Sequence, residues 1–306
     1  NTKMQKNIAE ELYSRQLEQS DTFRSAFSSL YQSSTREVQY HGFSYTLQLN
    51  PARIKSSTAD ISKPLGQQSC FLCRCNMPEY QIKAECDSEF FISVNPYPIL
   101  PRHLTIISHK HTPQTIHGHI ASMLKLAADM PGMCVFYNSP KSGASAPFHC
   151  HLQAGLASEL PAFRQIDSIR SRYAEKQAGG ISLICGPTRR MAIIESPSIS
   201  EAESQTTNIL RQLGAISGNH EPEANIGAAF LGGLFRAIIF PRQLHRPWQY
   251  FADDPQKILI SPGFAAMAGL IPCSRPCDYD RITHCDITSI MNQASISAEN
   301  LLRIEI

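Results

Sequence analysis

The chain has 306 residues, 42% hydrophobic and 18% charged, enough apolar material for one large or two modest packed domains without disulfide staples. A formal net charge of +2 makes no electrostatic case for a nucleic-acid partner, and no apolar run approaches the ~18–20 residues of a membrane span. Ten cysteines in so long a chain read as small core hydrophobes and metal ligands in a reducing cytoplasm, and Asn1–Lys6 lead into a charged amphipathic stretch instead of an apolar signal core.

In chain order, Ile8, Leu12, Leu17, Phe23, Phe27 and Leu30 recur at helical spacing, predicting two helices or one bent helix over 5–32. Tyr40 to Leu49 alternates like a strand, stopped by Asn50-Pro51. Residues 55–69 are polar and read as a loop. Phe90–Val94 and Leu104–Ile107 are predicted strands. Thr112-Pro113 is predicted to open a helix running to about Ala128, because proline fits a first helical turn. Cys134–Tyr137 is a strand, and the loop 138–147 leads into a strand containing His149. The order predicts an antiparallel sheet with a crossing helix, an α+β half of about 160 residues. The second half repeats the pattern weakly: strands 181–185 and 191–195, a helix 200–217, strands 226–230 and 234–240, then helices near 262–268 and 286–297.

The densest chemistry lies in His149-Cys150-His151-Leu152-Gln153. Side chains at i, i+2 and i+4 of a strand share a face, so His149, His151 and Gln153 are expected to project together, with Cys150 and Leu152 turned into a core. The loop Ser142-Gly143-Ala144-Ser145 upstream is small enough for backbone N–H groups to approach an anion. A histidine pair beside such a nest points to chemistry at phosphorus. Without that context, His-x-His is equally the pattern of structural or solvated histidines. Cys70-x-x-Cys73 has zinc-knuckle spacing but needs two further ligands; packed thiols are the alternative.

Phe136-Tyr137-Asn138, Gly143-Ala144-Ser145 and His149-Cys150-His151-Leu152-Gln153 resemble the active-site strand of the histidine-triad superfamily. The likeness is to its transferase branch: galactose-1-phosphate uridylyltransferase, dinucleoside tetraphosphate phosphorylase and GDP-hexose phosphorylase. Asn95-Pro96-Tyr97-Pro98 through His103-Leu104-Thr105-Ile106-Ile107 to His111 resembles the superfamily's ribose-contacting strand pair. The matched region covers about 70–155. The C-terminal half is similar more loosely, through Phe240-Pro241-Arg242 and Ser261-Pro262-Gly263.

The resemblance implies an α+β fold: a histidine-triad-like antiparallel sheet with crossing helices, in two related halves. Residues 1–160 form the catalytic half with a zinc site, and 161–306 complete the substrate pocket. It implies His151 as nucleophile, since neutral imidazole is competent at phosphorus near pH 7. Gln153, where hydrolases of the superfamily carry a third histidine, would hydrogen-bond phosphoryl oxygens. Ser145 and the N–H groups around Gly143 would hold non-bridging oxygens. Lys141 adds charge or is a solvated loop lysine. Asn95 and Asn138 contact ribose or phosphate, or cap turns. Arg53 binds phosphate or lies on the surface. Arg242, with His245 and Arg246, reaches the distal part of the substrate or belongs to a solvated loop. Trp248 and Tyr250 stack on a base or pack in the core.

By resemblance to the uridylyltransferases, His111 and His149 join Cys70 and Cys73 around a structural zinc, or iron in the same site. No organic cofactor is implied. Cys150 stands where the uridylyltransferases usually carry proline, and His-x-His-Leu-Gln-Ala-Gly is nearer the phosphorylases. The implied activity is phosphorolysis of a nucleoside diphosphate-sugar or dinucleoside polyphosphate, with inorganic phosphate as acceptor. The alternatives are a hexose-1-phosphate uridylyltransferase using a sugar phosphate, a hydrolase of nucleotide conjugates, and a catalytically silent nucleotide-binding protein. The uridylyltransferases imply a homodimer sharing sites; some phosphorylases work alone.

Overall fold

The structure is a computed structural model that describes residues 8–54, 69–219 and 221–306. The predicted loop 55–69 falls almost wholly outside them. The N-terminal periodicity resolves into two helices, Ile8–Gln19 and Asp21–Tyr31. The chain then forms a hairpin, β1 (Thr35–Tyr40) and β2 (Phe43–Leu49). The alternation expected as one strand from Tyr40 ran through the turn, where His41 and Gly42 have φ of 48° and 83°, both in the left-handed region that a tight two-residue hairpin requires.

The remaining strands are β3 (Lys83–Glu85), β4 (Phe90–Val94), β5 (Leu104–Ser108), β6 (Met133–Asn138), β7 (His151–Leu156), β8 (Ala174–Ala178), β9 (Ile181–Cys185), β10 (Arg190–Ser196), β11 (Ala224–Leu231), β12 (Leu234–Pro241) and β13 (Leu270–Cys273). Ten of them form one antiparallel sheet in the order β3-β4-β5-β7-β6-β11-β12-β10-β9-β8. Helix Ile120–Asp129 lies between β5 and β6, and helix Ile199–Ser217 between β10 and β11. Three strands, a helix and two strands therefore occur twice, with the same strand order in each half-sheet. The halves meet through β6 and β11, from Asn138↔Asn225 to Cys134↔Ala229. They differ in one connection: β6 and β7 are joined by the long loop 139–150, whereas β11 and β12 are joined by Gly232-Gly233 alone. β13 pairs in parallel with β2 to complete a second, three-stranded sheet.

Alternation along the strands makes two cores. Leu104, Ile106, Val135, Tyr137, Leu152 and Ala154 face the helices, packing with Met123, Leu124, Ile209 and Leu213. The opposite face carries Phe136, Ile193, Ile238 and Phe240, covered by Phe264, Ile271 and Met291. Phe264 stacks on Phe136 at 5.1 Å between centroids, in space vacated by Gly227; a Cβ there would stand 1.9 Å from the Phe264 ring. Among the described residues no helix is long and apolar enough to cross a membrane.

One predicted helix is corrected. It begins at Ile120, not at Thr112. The Thr112 carbonyl accepts from Cys150 N–H, Gln114 N–H donates to Pro147, and Ile116 N–H donates to Glu221. Backbone groups tied to other elements cannot close helical i→i−4 bonds.

Candidate active site and metal centre

A cavity of about 700 Å³ opens on the second face of the sheet, over β5, β7 and β6. One wall is His151 and Gln153 of β7, with Asn138 from β6 and the loop Gly143–Ser145; Arg246, Ser261 and Phe264 reach it from the second half. Arg53 and Arg246 line it, and among the described residues no Asp or Glu does. These cationic and amide walls favour an anionic ligand.

The expectation that His149 shares a face with His151 is corrected. β7 starts at His151, and His149 precedes it with its ring turned towards Cys70 and Cys73. His151 Nδ1 lies 2.8 Å from the His149 carbonyl oxygen, which can only accept. Nδ1 therefore carries the proton, and Nε2 keeps its lone pair. Burial is the main cause holding the His151 imidazole down at about 4, so the ring is neutral at pH 7.

Gln153 is oriented by a histidine that the sequence reading did not single out for a role. Ile99 N–H donates to His103 Nδ1 at 3.2 Å, so His103 Nε2 bears the proton and donates to Gln153 Oε1 at 2.8 Å. The amide oxygen is thereby engaged, leaving the Gln153 NH2 as the group with donor capacity. Burial, then the nearby Arg53 guanidinium, hold His103 at about 3 and keep it neutral.

The loop Ser142–Ser145 is held by the second half. Glu223 accepts from Lys141 N–H and Ser142 Oγ. Gly143 has φ +97°, and a Cβ there would stand 2.6 Å from Gly263 Cα; only glycine fits. Asn138 Oδ1 accepts from Asn225 Nδ2 and Phe264 N–H, both at 2.7 Å. Asn95 caps its turn, accepting from Tyr97 N–H and donating to Thr105 Oγ1, yet both asparagines line the cavity.

Arg242 is a correction to the sequence reading. It is buried and does not line the cavity. Its guanidinium donates to Ala294 O, Asn225 Oδ1, Pro262 O, Leu244 O and His245 O. Five donors meet five acceptors, so none remains for a substrate. It braces the Asn225–Pro262 side of the site instead. Lys141 is exposed and also lies off the lining, whereas Ser145, Gly143 and half-buried Arg53 are on it. Arg53 donates to Tyr97 O at 2.7 Å. Core packing of Trp248 is overturned: it is exposed and off the cavity.

Cys70, Cys73, His111 and His149 converge, their ligand atoms within 4.8 Å of one another. Cys70 Sγ is 3.3 Å from His149 Nδ1, and Cys73 Sγ is 3.2 Å from His111 Nδ1. Bond lengths of ~2.3 Å to sulfur and ~2.0 Å to nitrogen put tetrahedral edges near ~3.5 Å, so the set fits zinc. His149 Nε2 lies 2.9 Å from the Ser108 carbonyl, which fixes the proton there and frees Nδ1 to ligate. Leu72, Asn76 and Met77, on and beside the Cys70–Cys73 turn, also line the cavity, so this centre shapes a wall of the site.

Residues 12–156 match a family model described as a domain of unknown function, DUF4922. No curated protein sequence matches the chain. Among solved structures, the yeast Ap4A phosphorylase Apa2 superposes with a TM-score of 0.60 at 13% identity, covering 94% of this chain and 95% of that one. Its complex with AMP gives 0.60 at 13% identity over 94% and 97%, and its complex with Ap4A 0.56 at 13% over 92% and 97%. The chain has the histidine-triad-like α+β fold of these proteins.

Proposed function

We propose that the chain is a nucleotidyltransferase of the phosphorylase type, acting by double displacement through a nucleotidyl-histidine on His151. The observation that carries this reading is the His151 tautomer: Nδ1–H tied to the His149 carbonyl, Nε2 unprotonated, and the neutral ring on the wall of a cavity that no Asp or Glu among the described residues lines. The fold shared with Ap4A phosphorylase supports the same class.

Nε2 attacks the α-phosphorus of a nucleoside diphosphate-sugar or dinucleoside polyphosphate. The N–P bond forms as the bond to the bridging oxygen breaks, and the leaving phosphate takes the electron pair. The Gln153 NH2 donates to a non-bridging oxygen, and Ser145 with the N–H groups around Gly143 holds the others. An oxygen of inorganic phosphate then attacks the same phosphorus, the N–P bond breaks, and His151 returns neutral. Gln153 is neither acid nor base, yet none is needed: leaving group and acceptor are both already ionised phosphates. Water as acceptor would require a base, which favours phosphorolysis over hydrolysis. Cys70, Cys73, His111 and His149 would hold a zinc ion that fixes the loops around His151 without entering the reaction. Residues 1–160 would supply the chemistry and 161–306 the opposite wall.

Phosphorolysis of a panel of nucleoside diphosphate-sugars and dinucleoside polyphosphates tests the reading. An α-phosphate-labelled substrate should label the native protein and not the His151→Asn variant. Persistent labelling of the variant refutes the nucleophile. Release of the transferred nucleotidyl group only as monophosphate, with or without phosphate, identifies a hydrolase; binding without an adduct identifies a silent binder.

A further inference from the structure

β7 lacks one rung of its ladder where the reacting histidine sits. Its pairing with β6 stops at Phe136↔Gln153. Two residues further, the same register would pair Asn138 with His151, but β6 and β7 have splayed apart there. The gap is filled by a side chain. Gln114 Oε1 accepts from His151 N–H at 2.8 Å, and Gln114 Nε2 donates to His151 O and to Asn138 O, both at 3.0 Å. All three contacts reach backbone groups that the missing rung would have left unpaired. Gln114 is buried and is not on the cavity lining, so it does not touch a ligand there. Its own backbone is anchored, N–H to Pro147 O.

We infer that Gln114 is a positioning residue: its amide replaces a β-ladder rung and fixes the backbone of His151, and through it the attacking nitrogen. The inference rests on the proposed chemistry of His151. Splaying the strands opens the wall at Asn138 and His151, and the amide keeps that opening rigid. Displacement of a reacting group by ~1 Å costs about 100-fold in rate, so a loosened rung registers in the chemical step.

Gln114→Met keeps the volume and removes all three bonds. In the intact protein it should slow single-turnover adduct formation and kcat by about 10–100-fold, with KM and the Kd of an unreactive nucleotide analogue within about threefold of native. Gln114→Glu keeps the acceptor for His151 N–H but, when ionised, turns an anionic oxygen towards two carbonyls; protonated, it regains one donor. Its adduct-formation rate relative to native should rise as pH falls from about 8 to about 6. Adduct formation at the native rate in folded Gln114→Met, or a loss confined to KM or Tm, overturns the inference. If the Met variant does not fold, the Glu variant decides, and a rate ratio that does not change with pH overturns it. A native protein that forms no adduct at all refutes the His151 chemistry itself, a distinct result.

Discussion

Acid should affect the proposed reaction far less than a free imidazole would imply. An imidazole at its ordinary value of 6.5 is about 76% neutral at pH 7 and about 9% at pH 5.5, so an exposed nucleophile would lose about eightfold in rate over that interval. Burial holds His151 at about 4, where the neutral fraction at pH 5.5 is still about 97%. The depression from 6.5 to about 4 corresponds to about 3 kcal/mol against charging the ring in place. The sign follows for stability too. The unfolded chain binds the proton first, so this contribution is full above pH 6.5 and is lost as pH falls towards 4. The assay is the first half-reaction alone, adduct formation from labelled nucleotide by rapid quench, because omitting inorganic phosphate removes its own titration. Between pH 7 and 5.5 the rate should fall by less than about a fifth. A fall near eightfold would mean that the reacting ring is solvated, or is not His151, and would refute the argument.

Gly143→Ala places a side chain at φ +97° against Gly263 and should cost about 2–5 kcal/mol in denaturant unfolding while slowing turnover; a cost under 1 kcal/mol would contradict the close approach of the two loops. Arg242→Lys cannot meet five acceptors and should lose about 2–5 kcal/mol of stability with KM unchanged within about twofold; a large rise in KM with native stability would return Arg242 to the substrate. Purified protein should carry about one zinc per chain by elemental analysis, and Cys73→Ser should lose it together with a lower Tm; metal-free native protein of equal Tm would leave the four residues as packed side chains.

Strands buried on both faces were legible in the sequence as short, largely apolar runs. β4, β5, β6 and β9 to β12 are such runs and lie within a residue or two of their expected bounds. β3 and β8 carry Lys83-Ala84-Glu85 and Ala174-Glu175-Lys176-Gln177-Ala178, and each edges the ten-stranded sheet. Polar edge strands have no period-two apolar signal to read. Cys70, Cys73, His111 and His149, named from spacing and resemblance, come together. The roles of His103, Gln114 and Arg242 were not legible, because each depends on which distant backbone groups lack a partner. That is a property of the strand splay and the loop crossing, not of local pattern. His-x-His resembled a strand with a shared face, but the strand begins at His151, two residues too late for His149 to join it.

The most direct test is to trap the half-reaction. Native protein mixed with substrate, quenched at alkaline pH to preserve an N–P bond, and digested for peptide mass spectrometry should show one nucleoside monophosphate on the peptide containing His151, with fragmentation placing it on that ring. Turnover with the label on another residue, or with no protein-bound nucleotide at any time during the burst, would contradict the mechanism derived from the His151 tautomer.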